Sequence, residues 1–467
     1  MESGVNCGRR QVEWSERGPE RGPRRVRGRG RAATAASAWL VAFLASLALA
    51  DDLPQPPAMA SPPRPTVGLE VAAGTSLAEA IASAAPGATL LLGVGVHTGR
   101  VVIDRPLTIW GPRDAVVRSP GQGTTIEVTA PAVALLGFSI EGSGSRFEDT
   151  DAAVHLKGDD ATVEGLRITG ALFGVAASGM HRARIVGNEV VGSGVRDFGL
   201  RGDAIRLWEV RDSLVARNHV VDARDIVVWY SPGNEVSGNF VERGRYGTHF
   251  MYSSRNRVLD NTYLRNLVGV FVMYCDNVEV SANLVVAADP NDGMGLGLKE
   301  AGNVTATGNR IVRCPTGVFV DTSPIQISHM NRFTGNAIEF CDTGVLFHSS
   351  EKRNEFVDNA FHGCAVAVRV NGRGDATHVT WRGNYFEDYA GFDLDGDGVG
   401  DVPHEPRSLA GQLTSARETF RFFRGTPALG LLDVVSRVLP VLTPAVVFSD
   451  PAPRLRRPLS PEAGHAH

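Results

Sequence analysis

From about residue 160 the chain reads as short runs with apolar residues at alternate positions, each run closed by Gly, Asn or Asp. The runs recur as GVAAS (174–178), AIRLW (204–208), IVVW (226–229), GTHFM (247–251), GVFVM (269–273), GLGLK (295–299), GVFVD (317–321) and GVLFH (344–348). An asparagine keeps step with them, at Asn188, Asn218, Asn239, Asn261, Asn283, Asn309, Asn336, Asn359 and Asn384, with spacings of 21 to 30 residues. Alternation predicts strands. A period of this size predicts a solenoid with one coil per repeat. The leucine consensus of leucine-rich repeats is missing. Short β-branched strands separated by Asn and Gly therefore predict an all-β, right-handed, single-stranded parallel β-helix. Asn suits each turn because its amide tolerates left-handed backbone and can bond the Asn one coil away.

Upstream, Leu77–Ala85 reads as a short helix that caps the open end of the solenoid. It is followed by the strand-like stretches VVIDRPLTIW (101–110) and VALLGFSI (133–140). Residues 66–392 are thus expected to form the β-helix with its N-terminal cap, preceded by a Pro-rich linker over 51–65. An Asp-rich loop follows over 393–404. A C-terminal extension over 405–467 then carries an apolar helix near Ala428–Leu439.

Aligning the runs on their glycines separates two faces. One and three residues after the Gly stand Thr248 and Phe250, Val270 and Val272, Leu296 and Leu298, which point to the core. Two and four residues after it stand Arg206 and Trp208, Val228 and Trp229 (with a slip of one), His249 and Met251, Phe271 and Met273. This second set faces outward, and Tyr230, Tyr252 and Tyr274 follow it, one per coil. An exposed row of Trp, Phe, Met and Tyr marks a docking surface, unless loops cover it as second-layer packing. Trp208, Trp229, Tyr230, Tyr252, Phe271 and Tyr274 are the candidate docking residues. His249, Met251, Met273 and Cys275 form a loose set of imidazole, thioether and thiol donors that suits transient Cu(I).

Cys314, Cys341 and Cys364 fall nearly in step and are expected to stack, as buried thiols or with one disulfide. In Asp393-Leu-Asp395-Gly-Asp397-Gly-Val-Gly-Asp401, oxygen ligands at alternate positions around glycines match the first half of a calcium loop. The twelfth position is His404 where an EF-hand has Glu, so a structural Ca²⁺ and a metal-free acidic turn both remain open. No nucleophile-elbow, zincin or P-loop motif is present. Asp203, Asp222, Asp225 and Arg224 are the candidates for acid and base work on a carbohydrate. No basic residue is expected among paired carboxylates on consecutive coils.

Charge and composition adjust this picture at the N-terminus. Residues 1–50 hold nine arginines against four acids, so the rest carries 38 basic and 47 acidic side chains, which excludes nonspecific nucleic-acid binding. Ala38–Ala50 is a 13-residue apolar run behind those arginines, ending in Ala48-Leu49-Ala50. That is the pattern of an export signal over residues 1–50, cut before Asp51, with a transmembrane anchor as the alternative. Glu13, Glu16 and Glu20 are unusual in such a signal and point to a translation start near Val26.

Taken in order, GDAIRLW (202–208), VVWYSPGN (227–234), RYGTHFMYS (245–253), VGVFVMY (268–274), GMGLGLKE (293–300), GVFVDTSP (317–324), GNYFEDYAGFDLDGDGVGDVPHEPRSL (383–409) and DPAPRL (450–455) resemble the NosD family of nitrous-oxide reductase maturation proteins. The resemblance implies a periplasmic, noncatalytic β-helix protein held at the membrane through an ABC transporter permease and its ATPase. It further implies a role in assembling the copper–sulfide centre of nitrous-oxide reductase, with the reductase or a copper chaperone as docking partner. Ala428–Leu442 is the expected permease contact. The alternative is a carbohydrate-binding or polysaccharide-cleaving β-helix.

Overall fold

The computed structural model describes residues 53–348, 353–371, 374–407, 426–438 and 444–458. The export signal falls outside the described residues, as do most of 408–443.

Each coil is three short strands, and coil stacks on coil. A representative turn runs Glu235–Ser237, Phe240–Glu242 and Tyr246–Met251; the next runs Arg257–Leu259, Thr262–Leu264 and Val268–Met273. The strands build three parallel sheets of 14, 13 and 12 strands, the last made by the apolar runs identified above. The chain is a right-handed parallel β-helix. Its repeat begins at Leu69, far upstream of the first clear sequence repeat. The early coils contain no Asn ladder, so nothing but weak alternation betrays them.

Register is in phase from coil to coil: Val236 pairs with Val258, Val241 with Tyr263, and Phe250 with Val272. Because side chains alternate, in-phase stacking keeps like positions together. Phe250, Val270, Val272, Leu296 and Leu298 accordingly lie in one continuous core.

The asparagines are buried at the turn between the first two strands. Each Oδ1 accepts both the backbone N–H and the Nδ2–H of the Asn one coil earlier; for Asn239 to Asn261 both distances are 2.9 Å. Nδ2 also donates to a carbonyl behind it, Val215 O at 2.9 Å for Asn239. The whole row therefore points one way and needs an acceptor at its end. Asp450 supplies it: one carboxylate oxygen accepts from Asn384 N at 3.0 Å and Nδ2 at 2.8 Å.

That contact revises the C-terminal extension. Residues 444–458 close the last coil rather than hanging from it. Phe448 is buried against Trp381 and Phe386, at ring distances of 4.8 and 5.1 Å. Arg454 reaches Asp358 at 2.6 Å, and Arg457 pairs with Glu339. An open solenoid end exposes a core cross-section, and this aperiodic segment covers it.

At the other end helix α1 (Leu77–Ser83) seals the first coil with Leu77 and Ile81, its start capped by the Ser76 side chain. The Pro-rich stretch is laid on the coil: Trp110 Nε1 donates to Pro62 O at 3.1 Å. Helix α2 (Pro427–Val438) leaves Leu431 and Val434 exposed.

Candidate functional site

The outward row of the 12-stranded sheet is Trp208, Trp229, Met251, Met273, Lys299, Asp321, in direct register. Its neighbour row is Arg206, Val227, His249, Phe271, Gly297. The register slip falls between Asp225 and Val227. Val228 therefore faces the core beside Phe250, and Val227, not Val228, occupies the outward row.

His249 sits at the centre of this surface and is 5% exposed. Trp229 Nε1–H donates to its Nδ1 at 3.3 Å, so Nε2 carries the ring proton and directs it at Met273 Sδ, 3.2 Å away. Asp225 Oδ2 is 3.8 Å from Nδ1. Tyr246 and Phe271 flank the imidazole at ring distances of 4.8 and 6.2 Å. Met251 is the register neighbour of Met273. Adjacent coils thus bring an imidazole nitrogen and a thioether together, with a second thioether in the same row. Such donors favour a soft cation.

Cys275 does not join them. It is buried in the core, taking the place of Ser253 one coil on. Ser253 N donates to its Sγ at 3.1 Å, and the thiol donates to Met273 O at 3.0 Å. Burial pushes its pKa up to about 12. It is held as a protonated thiol facing away from the His249 surface.

Beneath the aromatic row lies a buried ionic layer that sequence reading missed. Arg224 grips Asp203 at 2.8 and 3.1 Å, and one coil later Arg245 grips Asp225, at 3.1 Å through Nε and again through a terminal nitrogen. Basic residues do therefore sit among paired carboxylates on consecutive coils. Burial and the neighbouring Asp225 charge raise the Asp203 pKa, whereas the hydrogen bonds and charge of Arg245 help outweigh burial and lower that of Asp225. Both acids are saturated by bidentate partners. The space beside Asp203 is about 10 Å³, too small for a sugar. Asp222 lies elsewhere, paired with Arg243 at 2.9 Å. Arg206 lies over the rings of Trp208 and Trp229 at 5.2 and 5.7 Å.

Tyr230, Tyr252 and Tyr274 stack at 5.3 and 4.9 Å with interplanar angles of 12°. Trp208 meets Tyr230 edge-on at 5.1 Å. Cys314, Cys341 and Cys364 are free thiols that interact along a row, and the Cys314 thiol, with burial, raises the pKa of Cys341 to about 12 against an opposing contact from Cys364. In the Asp-rich loop, oxygens of Asp393, Asp395 and Asp401 lie within 4.8 Å of one another. Asp397 is outside that group and accepts from Val399 N at 2.7 Å. Asp393 accepts from Gly396 N at 2.6 Å and Gly398 N at 2.9 Å, both glycines having positive φ.

The family model described as "Periplasmic copper-binding protein (NosD)" matches residues 181–391, the segment that carries the His249 surface. A relative from Stutzerimonas stutzeri, "Probable ABC transporter binding protein NosD", is 30% identical over 380 residues, covering 78% of this chain and 86% of that protein. The chain belongs to the NosD family. A second NosD, from Pseudomonas aeruginosa, is 29% identical over 378 residues, 78% of this chain and 88% of its own length. Among solved structures, the catalytic unit of an alpha-1,3-glucanase from Streptomyces thermodiastaticus superposes with a TM-score of 0.60 at 17% identity, covering 72% of this chain and 71% of its own. The A-module of an Azotobacter vinelandii mannuronan C-5 epimerase gives 0.51 at 12% identity, with 65% and 92% covered. These two share the β-helix and no more. As a NosD, the chain belongs to a family of periplasmic copper-binding, transporter-associated proteins. No helix among the described residues is long and apolar enough to cross a membrane.

Proposed function

We propose that this NosD is the periplasmic, noncatalytic component of an ABC transporter system that assembles the copper–sulfide centre of nitrous-oxide reductase. The observation that carries the reading is the His249–Met273 pair, 3.2 Å apart on an outward face framed by aromatic rings. Copper is cargo here. Once the imidazole proton moves from Nε2 to Nδ1, on the side of Asp225, His249 Nε2, Met273 Sδ and Met251 offer soft, neutral donors that can take up Cu(I) and release it to a partner. The surrounding Trp and Tyr residues give the partner a surface on which to dock. ATP hydrolysis belongs to the transporter, whose permease is contacted through helix α2, and a copper chaperone or the reductase itself meets the aromatic face.

The test is the metal content of nitrous-oxide reductase from cells lacking this chain. Reductase missing its catalytic copper–sulfide centre is expected, repaired by the wild-type gene and not by the His249→Ala, Met251→Ala, Met273→Ala triple variant. Full copper content without the chain would overturn the proposal. Polysaccharide cleavage by the purified protein would return attention to Asp203 and Asp225.

A further inference from the structure

One turn of each coil leads from the 12-stranded sheet to the 14-stranded sheet through a residue in left-handed conformation. Along successive coils that position is Gly179, Glu209, Tyr230, Tyr252, Tyr274, Glu300, Thr322, each N–H bonded to the coil ahead. The three tyrosines have φ of 52°, 52° and 55°. For a bulky aromatic this is an uncommon conformation, costing roughly 1–2 kcal/mol each. Gly, Asn or Asp would serve the turn better. Tyr230 and Tyr252 are 42% and 48% exposed, so core packing does not account for them. The left-handed turn belongs to the coil and recurs at Arg217, Arg243, Arg265 and Phe340; what sets this corner apart is that three aromatic rings stack along it at the surface.

The same row sets a charge pattern. Glu209 and Glu300 bracket the stacked rings at either end, and neither makes a salt bridge among the described residues. Four coil steps separate them, about 19 Å at ~4.8 Å per coil. The nearby cations stand in other rows, Lys299 beside Asp321 in register. After Thr322 the chain throws out a longer loop. Gln326 and His329 pin it to Asp276, just beyond Tyr274, at 3.4 and 3.1 Å. Its Ile325 and Ile327 are 52% and 79% exposed, which extends the apolar stripe at the corner.

We propose that this corner recognises a partner-protein segment in which Arg or Lys residues bracket an apolar stripe, the cations meeting Glu209 and Glu300 while the stripe lies along the tyrosine stack. The inference rests on the reading of this face as a docking surface and adds the chemistry of what docks. Basic side chains suit both ends of the row, through ion pairs at the carboxylates and cation–π contact at the rings. Charges at the edge of such a contact act chiefly on encounter rate and on rejection of acidic partners.

The experiment places a photo-crosslinking amino acid at Tyr252 in the full chain, in cells making the reductase, and maps the crosslinked partner peptide by mass spectrometry. The expected peptide is apolar with flanking Arg or Lys. The Glu209→Lys, Glu300→Lys double variant, its folding checked by circular dichroism, should lower crosslinking roughly tenfold. Reversing the mapped basic residues to Glu should restore it. A crosslink to an acidic or neutral segment, or one indifferent to the double variant, overturns this inference and leaves the docking reading standing. No crosslink from position 252 overturns both.

Discussion

Tyr230 and His249 show how much a single residue's setting decides. In sequence both are outward residues of an apolar run. In the fold one is left-handed and half exposed, while the other is nearly buried with each ring nitrogen engaged. Replacing Trp229 with Phe removes the donor that holds Nδ1 as an acceptor, and so favours the tautomer in which Nε2 is free to bind metal. Cu(I) retention, measured by competition with a chromogenic chelator, is expected to rise. His155 makes a separate prediction. Burial, then the Lys157 charge, lowers its pKa from 6.5 to about 4. The unfolded chain takes up this proton near pH 6.5 and the folded chain only near pH 4. Stability therefore falls as pH drops through that window, by up to roughly 3 kcal/mol from this group. In His155→Gln, thermal melts between pH 6.5 and 4 should show a shallower decline.

At the scale of the element, the Asn row is an oriented chain of hydrogen bonds, and its end is its weak point. Asp450→Ala would leave two buried donors of Asn384 unpaired, at roughly 1–3 kcal/mol each. Asp450→Asn keeps an acceptor oxygen in place and should cost much less. Denaturant melts of the pair test the direction of the row as well as its strength. The Asp-rich loop is held by carboxylates accepting backbone N–H groups, which accounts for Asp393, Asp395 and Asp401 without a metal. Their convergence still provides an oxygen cage. Millimolar Ca²⁺ is expected to raise the melting temperature of the wild type and not of Asp393→Asn, by calorimetry. No shift in the wild type would leave the loop an acidic turn. The repeat strands and the turn asparagines were legible in sequence because each coil restates them. The early coils were legible only as strand-like stretches such as 101–110 and 133–140, since without Asn188 and its successors their short strands carry no repeat marker.

For the whole molecule, the two ends behave differently from the coils between. Deleting residues 410–467 would strip away Phe448, Asp450 and Arg454, so it should lower the melting temperature and expose the last coil. Replacing only 408–443 with a Gly/Ser linker removes α2 and keeps the lid. That variant is expected to retain β-sheet circular dichroism and wild-type stability while losing copurification with the permease. Continued copurification would remove α2 from the contact.

What the sequence determined by itself is what repetition writes: the solenoid, its alternating faces, and one Tyr per coil at the corner. Periodic burial needs periodic residues, so these can be read without coordinates. Only the tertiary structure decided which neighbours meet across coils. It paired His249 with Met273, turned Cys275 inward, and neutralised Asp203 and Asp225 with arginines from the next coil. It also brought Asp450 to Asn384, 66 residues away. Those contacts depend on register to the single residue and on an aperiodic tail folding back, and neither leaves a local pattern in the chain.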